Sequence, residues 1–466
     1  MTPHQAIFAP ATEIATALRS RQVSATEMVE ASLRQIEHVN PSINAVVQLA
    51  ANRARAEAKS ADNSNPTKPL HGVPITLKDS IDTAGIITTY GTTGRRNFVP
   101  SRDATVAARL RQAGAIVLGK TNTPEFTLGG ECENPVYGKT FNPYKVTHTP
   151  GSSSGGSAAI VAAGGSAFEI GSDTGGSIRE PANFCGLAGI KPTIGRVSRM
   201  GHAVPFGMGA TDSLTTLGPI ARSVDDLELI LKLISGPDGI DPTVVPMPTW
   251  GNSAETNPRN LRIALYTDGG LGAIDPIIVE TVRKVADALA DAGAIITEAV
   301  PPSLAQASEV YTWLASIEGA RWLLQLIEQA GTTAVGVNLQ KVLDAANSAE
   351  LPTTATILKT YGKLRADAWQ WFQSFDAILC PVEPYVALPH GAILNMTFAD
   401  MQGWGHMNFY NLTGWPAGTV RAGTTADGLP VGVQLVAHPW REDVVFSLLR
   451  YIEQTFGGYK PPEINR

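Results

Sequence analysis

Two glycine-rich turns that each present a serine, together with a lysine after an apolar segment, are the residues of this chain best suited to chemistry. The turns read Gly151-Ser-Ser-Ser-Gly-Gly-Ser157 and Gly171-Ser-Asp-Thr-Gly-Gly-Ser-Ile-Arg179. Ser153 and Ser177 stand 24 residues apart, and Lys78 ends an apolar run. A serine hydroxyl attacks only when a base takes its proton, and a lysine held neutral by burial can be that base. These residue types predict acyl transfer.

Each of these side chains has an expected role. Ser177 follows two adjacent glycines, and successive backbone NH groups in such a turn form a nest that stabilises an oxyanion. We therefore expect Ser177 to be the nucleophile and Lys78 the base, with the hydroxyl cluster around Ser153 passing the proton between them and on to the leaving group. Asp79 and Asp173 are expected to hold hydrogen bonds of the turns rather than to react.

Alternating strand and helix signals surround these residues. A strand over residues 73–77 precedes a helix from an Asp103 cap to Gly114 and a strand over 115–118. The same order recurs as a strand over 261–266, a helix begun by Asp275-Pro276 and a strand over 294–296. Such units build sheets with helices on both faces. Near the N-terminus, the capping box Ser24-Ala-Thr-Glu27 predicts a helix that stops at Asn40-Pro41.

We expect one large α/β domain over residues 1–466. The polar, proline-containing stretch 237–258 predicts a surface connection between a half with the catalytic core, about 60–235, and a C-terminal half, about 259–466, that forms part of the substrate pocket. Seven of the eight tryptophans follow residue 310. Core packing is the favoured interpretation of these tryptophans, and a pocket wall is the alternative.

Composition excludes several classes of protein. A net charge of −6, with no basic run, argues against a nucleic-acid or anionic-membrane partner. The N-terminus lacks the features of a signal peptide, and no apolar stretch reaches the length of about 18 residues that a membrane span needs. Three distant cysteines without a CxxC spacing are typical of reduced thiols and offer no metal site. These features predict a soluble, cytoplasmic enzyme.

The same residues resemble the amidase signature family. The similarity extends over nearly the whole chain, in motifs that include Gly119-Lys-Thr-Asn-Thr-Pro-Glu-Phe126, Asn134-Pro-Val-Tyr-Gly138, Phe184-Cys-Gly-Leu-Ala-Gly-Ile-Lys-Pro-Thr193, Gly195-Arg-Val-Ser198, Gly218-Pro-Ile-Ala-Arg-Ser223 and Gly428-Leu-Pro-Val-Gly-Val-Gln-Leu435. The resemblance implies a central mixed, twisted β-sheet sandwiched between α-helices. It also implies catalysis without a metal or an organic cofactor, and it leaves a homodimer open.

The resemblance also implies roles for individual residues. Lys78 is the base, Ser177 the acylating nucleophile, and Ser153 the bridging serine, whose preceding peptide bond is cis. Arg179 either orders the site or contacts substrate, and Asp79, Asp173 and Ser154 give structural support. The oxyanion hole corresponds to the backbone NH groups of Thr174, Gly175, Gly176 and Ser177. The segment expected to line the substrate pocket is Thr127, Leu128, Gly129 and Gly130.

One position departs from the family pattern. The family usually has Gly-Gly-Ser-Ser-Gly-Gly, whereas this chain has Ser152 in place of the second glycine. Three consecutive serines therefore compete for the role of bridge. The choice of Ser153 over Ser152 and Ser154 rests on the 24-residue spacing to Ser177.

Two other motifs match the chain by letter. Residues 114–121 satisfy the P-loop pattern, but the intervening residues read as a strand and a proline stands where the helix should begin. Gly151-Ser-Ser153-Ser-Gly155 satisfies G-x-S-x-G, which would make Ser153 the nucleophile of an α/β-hydrolase-type esterase with His390, His406 or His438. The residues before it do not read as the required strand.

We therefore expect a hydrolase of C–N acyl bonds in neutral, apolar or aryl-bearing amides, anilides or carbamates (urethanes), with some esters as further substrates. Aromatic residues in segments 311–322, 369–372 and 404–415 suggest the apolar pocket. The alternative is the glutaminase subunit of a glutamyl-tRNA amidotransferase complex. That subunit typically has Ser-Leu-Asp-Gln-Ile-Gly-Pro, whereas this chain reads Ala210-Thr-Asp-Ser-Leu-Thr-Thr-Leu-Gly-Pro219.

Overall fold

The computed structural model describes residues 2–207, 209–396 and 400–464. The strands are β1 Val46–Leu49, β2 Pro74–Lys78, β3 Ile116–Thr121, β4 Glu133–Asn134, β5 Gly138–Lys139, β6 Phe168–Asp173, β7 Ala188–Lys191, β8 Thr216–Ala221, β9 Arg262–Leu265, β10 Ile295–Glu298, β11 Ala377–Cys380, β12 Ala417–Thr424 and β13 Pro430–Ala437. The α-helices are α1 Pro3–Ala6, α2 Ala11–Arg19, α3 Ala25–Ile43, α4 Ala51–Asp62, α5 Thr105–Gln112, α6 Gly155–Ala162, α7 Arg179–Phe184, α8 Val224–Ile234, α9 Pro276–Asp291, α10 Ala307–Ser316, α11 Arg321–Gln329, α12 Val337–Ser348, α13 Thr354–Phe372, α14 Gly405–Thr413 and α15 Glu442–Phe456.

A mixed sheet of eight strands joins the two halves of the chain, in the order β10-β9-β11-β13-β12-β7-β8-β6. The pairs β10/β9 and β9/β11 are parallel, and the other neighbours are antiparallel. Both β6 and β13 are buried along their whole length, as expected of strands with layers on both faces. The chain is thus a single α/β domain with helices flanking a large mixed sheet, and the predicted fold class is confirmed.

The strand that carries Lys78 belongs to a second sheet, of order β1-β3-β2. It lies beside the edge strand β6 and is joined to it partly through side chains. Ala167 NH donates to Pro74 O at 3.1 Å, and Lys78 NH donates to Glu169 Oε2 at 3.1 Å. The residue numbers of the bonded positions rise together along β2 and β6, so the two strands run in the same direction. The end of β2 is therefore placed next to the turn that follows β6.

The local predictions are largely correct, with two corrections. Helix α3 has the predicted capping box at Ser24 but continues through Pro41 to Ile43. Pro41 removes one hydrogen bond, but the Asn44 NH still donates to Asn40 O at 2.8 Å and closes the last turn, and Asn44 ends the helix with φ 46°. Asp103 does not cap α5, since its carboxylate accepts the Ala84 NH at 2.7 Å instead. Most of residues 114–121, which satisfy the P-loop pattern, lie in strand β3. Among the helices of the described residues, none is long and apolar enough to cross a bilayer.

Candidate active site

Lys78 is completely buried and lies at the centre of a cluster of hydroxyl groups. Its Nζ donates to the Oγ atoms of Ser153 at 2.7 Å, Ser154 at 2.9 Å and Ser172 at 3.0 Å. The first two serines come from the Gly151 turn, and Ser172 comes from β6. The lysine is thus held by both of the segments that the sequence singled out.

The protonation state of Lys78 decides what this cluster can do. Burial lowers the pKa of Lys78 from 10.5 to about 7. A neutral amine has two N–H donors and one lone pair, whereas three hydroxyls lie within hydrogen-bond distance. In the neutral state, therefore, one of these hydroxyls must donate to Lys78, and that is the arrangement a proton relay requires.

The structure separates Ser152 from the other two serines of the Gly151 turn. The Ser152–Ser153 peptide bond is cis, and the Ser152 Oγ donates to the carbonyl oxygen of Gly129 at 2.6 Å. Ser152 therefore bonds to the predicted pocket segment, while Ser153 and Ser154 face Lys78. Ser154, expected to give structural support, has the same partner as Ser153. Helix α6 begins directly after Ser154, which fixes the direction of the turn.

Asp173 shapes the turn that carries Ser177. Its carboxylate accepts the backbone NH of Gly176 at 2.8 Å and of Ile178 at 3.2 Å. Burial alone would raise the pKa of Asp173, but Arg179 holds it well below its usual range, so the group is a carboxylate. The Gly176 NH, one of the four expected in the oxyanion hole, therefore has a carboxylate acceptor in this structure. The oxyanion hole of Thr174, Gly175, Gly176 and Ser177 stays a prediction.

Arg179 is fully buried and directed away from solvent. Its guanidinium donates to Asp173 through Nε at 3.0 Å and Nη2 at 2.9 Å, to Asn411 Oδ1 at 2.6 Å and to Gln434 Oε1 at 2.8 Å. These partners join the turn of residues 171–179, called the nucleophile turn after the role expected of Ser177, to α14 and β13. Of the two roles that the resemblance allows, the contacts support ordering of the site and not contact with substrate.

Replacing Arg179 by Met should therefore destabilise the protein strongly. Asp173 would remain buried without its counter-charge, which typically costs about 3–5 kcal/mol of unfolding free energy. Urea unfolding should show this as a lower transition midpoint. The matched control is Arg262→Met, because Arg262 pairs with Asp376 while 48% of its side chain is exposed, and exposed pairs contribute about 1 kcal/mol or less. Equal loss in both variants would contradict the structural role of Arg179.

The two serine turns touch each other. Gly151 has φ 83°, and a Cβ added there would come within 2.9 Å of the Pro181 Cα. A Cβ on Gly171 would likewise come within 2.9 Å of the Ser154 Oγ. Glycine is required at both positions by this close approach. Ser177, in the second turn, is partly exposed, as a nucleophile that meets a substrate must be.

Asp79 holds the loop that follows Lys78. Its carboxylate accepts both the backbone NH and the hydroxyl of Thr89, and its own NH donates to Thr121 O at 2.9 Å. Burial raises the pKa of Asp79 to about 6. These contacts fit the supporting role predicted for this residue.

The predicted pocket segment has an unusual backbone. Phe126 and Thr127 both have positive φ, at 50° and 65°, within a short 3-10 turn. Leu128 packs against an apolar cluster from α11 and α12, and Gly129 receives the Ser152 hydroxyl. Gly130 lies against Ile393, since a Cβ there would be 2.4 Å from the Ile393 Cγ2. The segment thus bridges the C-terminal half and the turn of residues 151–157, called the relay turn after the role expected of Ser153.

Sequence reasoning missed several neighbours of the site. Ser172 could have been noticed as a further hydroxyl in the motif. Tyr311 and Met407 lie in segments 311–322 and 404–415, which suggested the pocket, but the sequence does not single out either residue. A Cβ on Gly175 would be 2.8 Å from the Tyr311 hydroxyl, and one on Gly176 would be 2.3 Å from the Met407 Sδ. Both side chains therefore cover the nucleophile turn. They come from α10 and α14.

The aromatic segments divide between core and site. Phe372 and Trp415 pack together with ring centroids 4.6 Å apart, in a buried cluster against which Tyr311 also packs. Trp322 packs against the same apolar cluster as Leu128, and the Trp404 indole donates to the Tyr385 hydroxyl at 2.6 Å. Segment 369–372 thus serves packing, whereas Tyr311 is beside the nucleophile turn.

The histidines do not form a triad with Ser153. His390 lies 3.4 Å from Glu131, and the His438 ring lies 2.9 Å from the Phe375 carbonyl oxygen. His406 is buried and stacks on Tyr266. The residues before the Gly151 turn also form no strand. The α/β-hydrolase interpretation is therefore wrong for this fold.

Comparison with known proteins agrees with this geometry. A glutamyl-tRNA(Gln) amidotransferase subunit from Synechococcus sp. (strain CC9605) is 35% identical over 474 residues, which cover 94% of each chain. A solved 6-aminohexanoate cyclic dimer hydrolase superposes with TM-score 0.88 at 28% identity, covering 99% of this chain and 100% of that one. A bacterial aryl acylamidase superposes with TM-score 0.85 at 25% identity, covering 96% of both. The family model Amidase matches residues 27–446, and the chain therefore belongs to the amidase signature family.

Proposed function

We propose that this amide-hydrolysing enzyme cleaves apolar or aryl-bearing amides, anilides and carbamates through an acyl-enzyme on Ser177. The observation that carries the mechanism is the buried Lys78 with its serine hydroxyls at 2.7–3.0 Å. Neutral Lys78 takes a proton from Ser153 while Ser153 takes one from Ser177, whose oxygen forms a bond to the substrate carbonyl carbon. The backbone NH groups of the turn around Ser177 stabilise the oxyanion.

Collapse of this intermediate breaks the C–N bond. Ser153 gives its proton to the departing amine and recovers one from Lys78, which returns the lysine to the neutral state. Water then attacks the acyl-enzyme, with the same relay removing its proton. The acid leaves and Ser177 is restored. Each proton that the relay accepts is thus passed on within one cycle.

The pocket wall supports an apolar or aryl group in the substrate. Tyr311 and Met407 cover the nucleophile turn, and both come from the C-terminal half, in line with the predicted contribution of residues 259–466 to the pocket. Leu128 adds a further apolar side chain through its contact with the α11 and α12 cluster. Aromatic and thioether side chains favour ring-bearing ligands.

An activity panel tests the substrate class. We expect kcat/KM for anilides and aryl carbamates to exceed that for acetamide by about 10- to 100-fold, because an apolar pocket gains from each group that fills it. Initial rates over aliphatic amides, anilides, aryl carbamates, esters and glutamine measure this preference. Preferred hydrolysis of acetamide would contradict the aryl-binding pocket.

The same panel tests the second candidate, the glutaminase of a tRNA amidotransferase. Relatives 35% identical to this chain are named as components of glutamyl-tRNA(Gln) amidotransferase, which favours this candidate. The segment 210–219 departs from the pattern of that glutaminase close to β8, which disfavours it. Glutamine as the best substrate would identify the glutaminase.

A further inference from the structure

Two glutamates form a buried acidic pair that the proposed mechanism does not use. Glu180 is in the first turn of α7, directly after Arg179, and Glu383 is in the turn that follows β11. Their exposed fractions are 9% and 1%. Burial raises the pKa of the Glu180 carboxyl well above its usual range, and the nearby Glu383 raises it further.

Neither glutamate forms an ion pair within the described part of the chain, and the nearby Arg179 is paired with Asp173. Neither carboxylate oxygen of Glu383 has a hydrogen-bond partner there. The Tyr385 hydroxyl is near enough to lower the pKa of Glu383 but is not in hydrogen-bond geometry with it. The cation whose charge reaches Glu383 is Arg179, and its guanidinium is already bound by Asp173, Asn411 and Gln434.

The acidic pair borders the relay turn. The Glu180 carboxyl faces the backbone NH of Ser152, the residue before the bridging serine. The backbone of Glu180 also packs against Gly151, since a Cβ on that glycine would be 3.2 Å from the Glu180 carbonyl carbon. On the other side, Tyr385 accepts the Trp404 indole N–H, one residue before α14 and its Met407. Glu180 is therefore adjacent to both serine turns, since it contacts Gly151 and directly follows Arg179 in the chain.

A buried carboxyl pair in which Glu383 has no hydrogen-bond partner among the described residues is costly, and a ligand with a positive charge would offset that cost. A primary ammonium group carries three N–H donors around one nitrogen, so it can bridge two carboxylates. Two carboxyls are few ligands for a divalent metal ion, and the described residues contain no cluster of three or more His, Cys, Asp or Glu that could hold one. We propose that Glu180 and Glu383 bind a primary ammonium group of the substrate beside the relay turn.

This inference rests on the proposed function and sharpens its substrate class. The substrate would carry an amine in addition to its apolar part, which departs from the neutral substrate that the sequence suggested. Several charged or polar groups near the pair shift the pKa values of its two carboxyls. Glu131 and Asp173 act on Glu180, whereas Arg179 and the Tyr385 hydroxyl act on Glu383.

Binding can be tested without catalysis. Calorimetry on the full chain would compare n-hexylammonium with n-hexanol at pH 8, in two buffers of different ionisation enthalpy. We expect the ammonium to bind about 10- to 100-fold more tightly and to release protons, because a cation displaces the protons that a carboxyl pair retains. Equal affinities, or ammonium binding without proton release, would overturn the proposal.

Substitutions of Glu180 and Glu383 test whether these two residues bind the ammonium group. Glu383→Gln and Glu180→Gln should each lose about tenfold or more in ammonium affinity. Glu453→Gln is the matched control, because Glu453 is another largely buried carboxyl with a pKa raised by burial, but it lies on α15 and accepts the Val224 NH. Unchanged affinity in folded Glu383→Gln, or the same loss in Glu453→Gln, would overturn the assignment.

Kinetics separates this inference from the proposed function. For the p-nitroanilides of 6-aminohexanoic and hexanoic acid, Glu383→Gln should lower kcat/KM about tenfold or more for the first and within twofold for the second. If the enzyme hydrolyses both anilides equally and Glu383→Gln has no effect, the proposed function stands and the ammonium site is refuted. If the protein binds the ammonium but hydrolyses neither anilide, the ammonium site stands and the proposed function is refuted.

Discussion

Ser177→Ala should lose at least about 10³-fold in kcat on any amide or carbamate that the wild type cleaves, because the acyl-enzyme cannot form without the hydroxyl. Folding should be unaffected, since the side chain is small and partly exposed. Turnover and mass spectrometry after reaction with a slow carbamate measure the two expected losses, activity and covalent acylation.

The serines of the other turn provide the comparison. Ser152 bonds to the Gly129 carbonyl oxygen and Ser153 to Lys78, so Ser152→Ala should keep most activity while Ser153→Ala should lose about 10²-fold or more. Substantial turnover or acylation in Ser177→Ala would refute its role as nucleophile. A greater loss in Ser152→Ala than in Ser153→Ala would reassign the relay.

Local sequence was sufficient to predict the turns and the strand that carry the expected catalytic residues. Glycine pairs beside serines specify tight turns, and an apolar run before Lys78 specifies a buried strand; both are properties of short segments. The expected proximity of Lys78 to the serine cluster is matched by a hydrogen bond between its Nζ and the Ser153 Oγ. In the sequence, the choice between Ser152 and Ser153 rested on spacing alone. The structure distinguishes the two residues because the Ser152 side chain bonds to Gly129 and the Ser153 side chain bonds to Lys78.

Contacts between distant segments could not be predicted in this way. Arg179 bonds to Gln434 across 255 residues, and Tyr311 reaches the nucleophile turn from α10. No periodicity or motif encodes which loops of the C-terminal half come to the turn, because that depends on how the whole sheet is assembled. The acceptor of the Gly176 NH was not predicted for a related reason. The motif indicates a nest of donors but does not show that Asp173 accepts one of them.

Activity should rise with pH through about 7 and then level off, because Lys78 must be neutral to accept a proton. Burial lowers its pKa to about 7, so the lysine is protonated and inactive as a base below that value and neutral above it. The acid limb of kcat/KM against pH should therefore have a slope of one and a midpoint near 7. Lys78→Met should lose about 10²- to 10⁴-fold in kcat, the usual contribution of a general base.

Lys120→Met is the matched control for Lys78. Lys120 lies on β3, is equally buried, and has a pKa that burial lowers to about 8, but it bonds to Ile81 O and Thr83 rather than to the serine cluster. Its replacement should reduce stability and leave the midpoint of the pH profile in place. If the profile reached its maximum near pH 5, or if Lys120→Met removed the limb near pH 7 while Lys78→Met kept it, Lys78 could not be the base. Both lysines are buried, so burial alone does not make a base; the hydroxyls around Lys78 give its lone pair a proton to accept.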